Sequence, residues 1–353
     1  MCGYQKVRLK NIVIGYNPLS KNLSHPADRR RFIFFATYKN IKFEIADYNK
    51  KYDYVILTGL SDFTLWKNYK KGKIIFELLD PYLFENSSYL KNFLRSFGKF
   101  LLRQFKYFDF HYKKLLITMC KNSYAVICAT KTHAELLKKY NKKIFCIPDF
   151  HGEFKSQKRT NSFLQQKKIK IFWEGYPINL LSKEFSIFIK DIKKNNLSNQ
   201  IELNIVTDLF FHRYFNRIFK IQTIEILKKF DIQFNLYEWN IENIINISKK
   251  CDIGIIPLNV NNNYEKNKPE NKLLLMWRLG LPTITSNTPS YKYLMDKVIN
   301  NMIANHGNWS LHINNLIKDK EKLLEISNQN FEFISKYYNE EEISNLWEEV
   351  FTN

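Results

Sequence analysis

The sequence predicts an α/β protein with two doubly wound domains. The chain has 353 residues, which exceeds the usual size of a single domain. Short apolar runs rich in β-branched residues alternate with segments of helical spacing, as in parallel sheets that are buried on both faces. The alternation stops at a polar stretch near the middle of the chain and then starts again. These three observations predict two α/β domains in succession.

Five strand-like runs define the first half of the chain. Each is short and apolar, and helical stretches separate several of them, so we predict a first domain over residues 1–160. The predicted strands are VRLKNIVIGY, YDYVILTG, GKIIFELLD, YAVICAT and KKIFCIPD.

A charged, polar run from Lys155 to Lys168 is typical of a linker. The alternation then resumes and predicts a second α/β domain over residues 168–315. Beyond residue 315 the pattern is helical, and we expect the helices of residues 316–353 to pack back on the first domain. The predicted strands of the second domain are IKIFWEGYP, IELNIVTD, IQFNLYEW, DIGIIPL and LPTITSN.

Composition excludes a largely disordered chain, since 45% of the residues are hydrophobic and 16% are aromatic. The formal charge of +21 attracts anions, which include nucleic acid, phosphorylated sugars and anionic membranes. The chain is also rich in Lys, Asn and Ile, residues that AT-rich coding favours. Local clustering of charge is therefore more informative than the total.

The five cysteines form no CxxC pair and no Cys/His cluster with metal-ligand spacing. We expect reduced thiols, no metal site and no cofactor. The first residues lead into a strand without a signal-type apolar region, and no run reaches about 18 apolar residues. We therefore expect a cytoplasmic protein whose membrane contact, if any, is peripheral and at the inner face.

Ligands of α/β proteins usually bind at the carboxyl ends of parallel strands, and two such sheets that face each other form a cleft there. Polar residues and glycines follow several of the predicted strands. An Asp at such a position also fits a helix cap, so the shared edge is what favours a functional role. The residues at this predicted edge are Gly15, Asn17, Asp62, Asp80, Glu174, Gly175, Asp208 and Trp239.

Residues 267–291, NKPENKLLLMWRLGLPTITSNTPSY, predict a helix that begins after a proline and ends at Gly-Leu-Pro before a β-branched strand. The unpaired N–H groups and aligned peptide dipoles of a helix start favour an anion. Asn271 and Lys272 would lie at this start. An ordinary amphipathic helix with a solvated lysine also fits the periodicity, so the function of this segment depends on its context.

In that context the second half, from about residue 168 to 291, resembles GT-B fold glycosyltransferases, particularly the large retaining, group 1 or family 4-like class that uses nucleotide-activated sugars. The first half resembles them more weakly. The resemblance implies two Rossmann-like domains facing a cleft, with the donor bound by the second domain. The implied donor-binding positions are Gly175 and Tyr176 in the loop near the phosphates, Asp208, Trp239 beside the base, and Asn271 with Lys272 at the start of the helix on the diphosphate.

The chain departs from the family pattern in two places. The family often has two glutamates eight residues apart, of which the second would bind the donor ribose. Counting back from Gly280 places Leu275 at the second position and Asn267 at the first. Leu275 cannot accept a hydrogen bond, so another group holds the ribose, the donor differs, or activity is reduced. The family's Arg-then-Lys pair is also missing, which leaves Lys183 for a phosphate.

A leaving nucleoside diphosphate develops negative charge, which a helix N-terminus with Lys272 and Lys183 can stabilise. No DxD triplet occurs, so we predict metal-independent transfer. The acceptor hydroxyl must lose a proton, and the candidate bases are Asp80, His133 and His25. His133 fits a residue that lines a helix equally well.

The acceptor side is predicted in the first domain. His25 lies in a loop after the first strand, close to where an acceptor would enter, and Gly15 with Asn17 would lie at the same edge. The neighbouring run Arg29–Arg31 could meet a phosphate or be solvated.

Residues 90–120 combine helical apolar spacing with seven basic residues against one acidic residue, Asp109. A basic helix with Phe and Leu on its apolar face can lie on an anionic membrane, and the acceptor would then be a lipid-linked sugar. Alternatively the same face packs on the sheet of the first domain. Both can hold for different parts of the segment.

Sugar transfer from a nucleotide-sugar donor to a glycan or lipid-linked acceptor, in surface polysaccharide or glycoconjugate synthesis, is the leading hypothesis. The alternative is a catalytically inactive GT-B-like binding or scaffold protein, which Leu275 favours. Nucleic-acid binding is a third class that the charge permits, but the sequence contains no recognised nucleic-acid module, and we expect no such partner.

Overall fold

The computed structural model describes residues 12–159, 168–213, 219–298, 302–305 and 307–352. The chain divides into two compact units, and each is an α/β layer structure with a parallel six-stranded sheet. Unit 1 comprises Met1–Phe150, Asn267–Glu270 and Tyr338–Asn353, and unit 2 comprises His151–Lys266 and Asn271–Tyr337. The predicted fold class of both halves is therefore confirmed.

The sheet of unit 1 is parallel throughout, and its central strands are buried because apolar side chains cover both faces. Its strands are β1 (Ile14–Asn17), β2 (Glu44–Ile45), β3 (Tyr54–Leu57), β4 (Lys73–Glu77), β5 (Ala125–Cys128) and β6 (Ile144–Cys146). They follow the order β2-β1-β3-β4-β5-β6.

The described part of unit 1 contains seven α-helices, on the sheet or on one another. They are α1 (Pro26–Arg29), α2 (Phe32–Tyr38), α3 (Phe63–Trp66), α4 (Tyr89–Leu101), α5 (Tyr112–Asn122), α6 (Lys131–Leu137) and, from the end of the chain, α15 (Glu340–Thr352). The Asp62 carboxylate caps α3 by accepting from the N–H groups of Thr64 and Leu65. Trp347 of α15 stacks on Phe35 of α2, with ring centroids 5.7 Å apart.

Arg31 forms a buried ionic network inside unit 1. Its Nε donates to Glu77 at 2.8 Å, and its Nη1 donates to Asp149 at 2.9 Å. Burial lowers the pKa of Arg31, but the two carboxylates raise it more, so the pKa lies above its ordinary value. The hypothesis that the Arg29–Arg31 run is solvated or meets a phosphate is therefore wrong for Arg31.

The sheet of unit 2 has the Rossmann strand order, which reverses between its first and fourth strands. Its strands are β7 (Ile169–Glu174), β8 (Ile201–Thr207), β11 (Phe234–Glu238), β12 (Ile253–Ile256), β13 (Thr283–Ser286) and β14 (Ile303–Ala304). They follow the order β11-β8-β7-β12-β13-β14. A separate antiparallel pair, β9 (Phe210–Arg213) and β10 (Phe219–Gln222), follows β8.

The helices of unit 2 are α7 (Lys183–Lys194), α8 (Thr223–Leu227), α9 (Ile241–Ser248), α10 (Asn263–Lys266), α11 (Asn271–Arg278), α12 (Pro289–Lys297), α13 (Trp309–Lys318) and α14 (Lys320–Tyr337). Gly280 ends α11 with a φ of +71°. A Cβ at this position would lie 2.5 Å from the carbonyl oxygen of Gln157, so only glycine fits. The predicted Gly-Leu-Pro break is confirmed.

The division between the units differs from the predicted boundaries for two reasons. The Arg159 side chain donates to the carbonyl groups of Gly280 and Ser248, at 3.1 and 2.6 Å, which ties the preceding segment to unit 2. Phe333 of α14 packs on Trp277 of α11, so residues up to 337 also belong to unit 2. Among the helices after residue 315, only α15 belongs to unit 1, while the predicted linker residues 160–167 lie outside the described residues.

Within the described ranges, no helix combines the length and the apolar character that a membrane span requires.

Candidate functional site

A pocket lies in unit 2 at the carboxyl ends of β7 and β12, where the strand order reverses. Ligands of open α/β sheets bind at such reversal points. The pocket is a small depression that is partly open to solvent. Its lining residues come from β7 and the turn after it, from β12 and the loop after it, from α10, and from the starts of α7 and α11: Trp173, Asn179, Ser182, Ile256, Pro257, Leu258, Glu265 and Lys272.

Lys272 brings a positive charge to this pocket. It is the second residue of α11, and its Nζ donates to the backbone carbonyl oxygen of Glu174 at 2.6 Å. The same Nζ lies 3.5 Å from Glu174 Oε2 and 5.7 Å from the centroid of the Trp173 ring. The amine is therefore held at a helix start, where an anion is also favoured by the peptide dipoles.

Gly175 leaves room for the Lys272 amine. A Cβ at Gly175 would lie 2.7 Å from the Lys272 Nζ, and the φ of Gly175 is +157°. The Gly175 carbonyl oxygen accepts from the hydroxyl of Thr207, at the end of β8, at 2.5 Å. The loop after β7 is thus fixed by the neighbouring strand, with room for the lysine.

Trp239 joins the same group of side chains through Glu174. Its indole Nε1 donates to Glu174 Oε1 at 3.3 Å. Glu174 Oε2 is buried and accepts no hydrogen bond from the described residues. Glu174 therefore links Trp239 to Lys272, a role that the sequence analysis missed although it placed Glu174 at this edge.

Of the predicted donor residues, Lys272 is in the pocket lining, whereas Gly175, Trp239 and the remaining four lie outside it. Tyr176 is 71% exposed, and Lys183 is the exposed first residue of α7. Asp208 is exposed after β8, and its backbone carbonyl oxygen accepts from the Thr223 hydroxyl at 2.6 Å. Asn271 is the half-buried first residue of α11.

Leu275, at the position where the family pattern has a glutamate, is buried among the apolar residues of α11.

Two acceptor-side predictions need correction. Gly15 and Asn17 were expected to follow the first strand, but both lie inside β1, which continues to Asn17 because this residue still pairs with Leu57 of β3. A Cβ at Gly15 would lie 3.1 Å from the ring of Tyr52. Gly15 therefore permits close packing on that ring.

The candidate bases of unit 1 have different environments. Asp80 is exposed after β4, whereas His133 lies in α6 and is 1% exposed. Burial lowers the pKa of His133 to about 4, so its imidazole is neutral near pH 7. The exposed His25 caps α1, since its Nδ1 accepts from the Ala27 N–H at 3.2 Å.

Asp28, which the sequence analysis did not single out, organises the loop after β1. It is fully buried and accepts from the Tyr16 hydroxyl at 2.6 Å and from the N–H groups of Leu19 and Ser20 at 2.8 and 2.9 Å. This loop is therefore fixed by a charged hydrogen-bond acceptor.

No protein-family model matches the sequence, and no curated protein is recognisably similar to it. Solved structures are similar in fold. HepE from Anabaena, in complex with UDP-glucose, is 12% identical with a TM-score of 0.62, over 97% of this chain and 100% of that chain. WaaG, a glycosyltransferase involved in lipopolysaccharide biosynthesis, is 10% identical with a TM-score of 0.54, over 92% of this chain and 95% of that chain.

TarM from S. aureus is 14% identical with a TM-score of 0.58. The alignment covers 85% of this chain and 55% of TarM, so the chain spans about half the length of that protein. At these identities the likeness concerns the fold. With two parallel six-stranded α/β units, this chain has the GT-B fold of glycosyltransferases.

Proposed function

We propose that the protein is a hexosyltransferase-type glycosyltransferase that moves a sugar from a nucleotide-sugar donor to a glycan or lipid-linked acceptor without a metal ion. The observation that carries this proposal is the Lys272 amine at the start of α11, beside a pocket at the strand reversal of a Rossmann-like unit. The GT-B fold supports it, as do the structures of HepE with UDP-glucose and of TarM with UDP.

In this proposal the leaving diphosphate is stabilised electrostatically. Its negative charge grows as the bond between the sugar carbon and the phosphate oxygen breaks. Lys272 and the N–H groups at the start of α11 would meet that charge. The proposed donor-binding residues are Gly175, Tyr176, Lys183, Asp208, Trp239, Asn271 and Lys272, with Trp239 on the side of the base.

A ribose would need a hydrogen-bond acceptor other than Leu275. Glu265 lines the pocket, and its Oε2 already accepts from the Asn259 N–H at 3.0 Å. We propose that this carboxylate holds the ribose hydroxyl groups in place of the glutamate that the family pattern has on the helix.

The new bond forms between the acceptor oxygen and the sugar carbon, and the acceptor proton passes to a base or to the departing phosphate. Asp80 and His133 are the proposed bases, with His25, Gly15 and Asn17 on the acceptor side. Asp80 is exposed and therefore open to a substrate hydroxyl, whereas His133 is buried.

The proposed setting is surface polysaccharide or glycoconjugate synthesis in the cytoplasm, at the inner face of the membrane. The described similarity to WaaG supports a role of this kind. Residues 90–120 would provide the contact with an anionic membrane surface, which fits a lipid-linked acceptor.

A thermal-shift screen against UDP, GDP, ADP and CMP and their sugars at millimolar concentration tests the donor proposal. We expect one nucleotide class to raise the melting temperature, because a ligand that binds only the folded state stabilises it. If none of these compounds changes the melting temperature, the donor-site proposal fails.

The second candidate is a binding or scaffold protein that has the fold but no catalytic activity, and the buried Leu275 favours it. It predicts that a nucleotide sugar binds but that no acceptor is glycosylated and no nucleoside diphosphate is released. Sustained release of nucleoside diphosphate with an acceptor present rejects this candidate.

A further inference from the structure

Helix α4 has its polar face turned inward. Arg95 and Lys99, on one side of the helix, lie over the buried Tyr112 ring at 5.5 and 5.8 Å from its centroid. Ser96 on this side is also fully buried. A surface helix of a globular protein normally buries its apolar face, so α4 is reversed relative to that pattern.

The opposite side of α4 is apolar and exposed. Residues at positions i, i+4, i+7 and i+11 lie on one stripe of a helix. The four residues in this register are Leu90, Leu94, Phe97 and Leu101, which are 39% to 64% exposed.

The loop after α4 extends this stripe and supports it. Phe108 contacts Phe97, Phe100 and Phe110, with ring centroids 6.1, 5.6 and 4.7 Å apart. Leu102 and Phe110 are 69% and 57% exposed. We call the continuous exposed set the apolar ridge: Leu90, Leu94, Phe97, Leu101, Leu102 and Phe110. Such contiguous exposure marks an interaction surface rather than scattered surface residues.

Exposed cations accompany the ridge. Arg103 and Lys106 lie in the loop that carries Leu102 and Phe110, and both are exposed. Arg95 and Lys99 lie on the inward side of α4, and Lys91 pairs with Glu85, so Arg103 and Lys106 are the cations that accompany the ridge. If a second copy of the chain covered the ridge, the cations of the two copies would lie close together, which like-charge repulsion disfavours. An anionic surface with an apolar interior is the complementary partner.

We propose that the apolar ridge enters the interface of an anionic lipid membrane, with Arg103 and Lys106 at the lipid headgroups. This inference deepens the proposed function, on whose peripheral membrane location it rests, by naming the inserted residues. Within the predicted segment 90–120, the membrane contact is then confined to the first part. In α5 the apolar residues Leu115 and Leu116 are buried in the core of unit 1, so that part packs within the protein.

Vesicle flotation with the full chain, without donor or acceptor, tests the proposal. The vesicles contain phosphatidylcholine alone or equal parts of phosphatidylcholine and phosphatidylglycerol. We expect binding to the anionic vesicles only. Leu94→Glu and Leu101→Glu should each weaken binding by about tenfold or more, because they place a charge on the inserted face. Arg103→Ala and Lys106→Ala should each weaken it by about fivefold.

Leu311→Glu is the matched control, since Leu311 is an exposed helical leucine, 54% exposed, on α13 of unit 2. It should bind vesicles like the unmodified protein. Circular dichroism and melting temperature check that each variant folds. Equal binding by Leu94→Glu and the unmodified protein, or no binding to anionic vesicles, overturns the proposal. A dimer that Leu94→Glu dissociates, without vesicle binding, would instead identify a second copy as the occupant.

The donor-induced thermal shift of Leu94→Glu separates this proposal from sugar transfer. We expect the shift to be unchanged, because the substitution lies on the exposed face of α4 in unit 1. If Leu94→Glu loses vesicle binding but keeps the donor-induced shift, the apolar ridge binds the membrane independently of the donor site. Vesicle binding without any donor response leaves the ridge supported and rejects the donor site.

Discussion

The Lys272 amine donates to the backbone carbonyl oxygen of Glu174 at 2.6 Å, which joins the first turn of α11 to the end of β7. These two elements flank the point where the strand order of unit 2 reverses. This hydrogen bond to the backbone sets the position of the lysine amine. A bound diphosphate would compete with the carbonyl oxygen for the amine.

Gly175→Ala tests the fit between these two elements. The added Cβ would lie 2.7 Å from the Lys272 Nζ, so the amine must move. We expect nucleotide binding, measured by calorimetric titration, to weaken by about tenfold, which corresponds to one lost charge-assisted hydrogen bond. Gly59→Ala is the control, because a Cβ there meets nothing within 4 Å. Equal affinities of the two variants would show that the loop adapts.

His133 should make stability depend on pH in the acid range. Burial lowers its pKa in the folded state to about 4, below the unfolded value of about 6.5. Its contribution to stability is present above the unfolded pKa and is lost as the pH falls through the folded pKa. As the pH falls from about 6.5 to about 4, the free energy of unfolding of His133→Phe should therefore fall by up to about 3 kcal/mol less than that of the unmodified protein. Urea unfolding at several pH values measures these free energies. The same pH dependence in both proteins would contradict the prediction.

Glu270 should make stability decrease as the pH rises, which is opposite to the effect of His133. Its side chain is buried in unit 1, and burial raises its pKa to about 8, with smaller contributions from Cys146 and Asp149. Stability from a raised carboxyl pKa is present below the unfolded value of about 4.3 and is lost as the pH rises through about 8. Glu270→Gln should therefore gain stability relative to the unmodified protein over this range, by about 1.4 kcal/mol for each unit of pKa difference. Melting curves across the range check the sign.

Arg31→Met should strongly destabilise unit 1. The substitution leaves the buried carboxylates of Glu77 and Asp149 without their cation, which costs about 3–5 kcal/mol. Lys39→Met is the control, since the half-exposed pair of Lys39 with Glu348 contributes about 0–1 kcal/mol. Chemical denaturation measures both free energies of unfolding. Similar losses for the two variants would mean that the buried network stabilises no more than a surface pair.

The sequence predicted ten of the described strands because each lies in a short apolar run between segments of helical or polar character. It did not predict β2 and β14, since two residues are too few to show a period. The hairpin β9–β10 was also missed. Strand ends were placed less well than strands, as the position of Gly15 and Asn17 inside β1 shows.

Side-chain partners that are distant in sequence could not be predicted. Glu174 meets Trp239 and Lys272, which lie 65 and 98 residues further along the chain. Arg31 resembled a solvated cation because its partners, Glu77 and Asp149, are 46 and 118 residues away. Local patterns indicate which residues are at a strand edge, but the sheet order decides which of them meet.

Lys272→Ala, compared with the unmodified protein in nucleotide-sugar titration and in turnover with an acceptor, tests whether this amine holds the donor diphosphate. Lys190→Ala, at an exposed position on α7, is the matched control. We predict that the unmodified protein and the control bind one nucleotide sugar and release its diphosphate. Lys272→Ala should bind about 10- to 100-fold more weakly, as expected for a lost hydrogen bond to a charged group, and should lose turnover. Equal binding and equal turnover in Lys272→Ala would show that the donor diphosphate is not held at the start of α11.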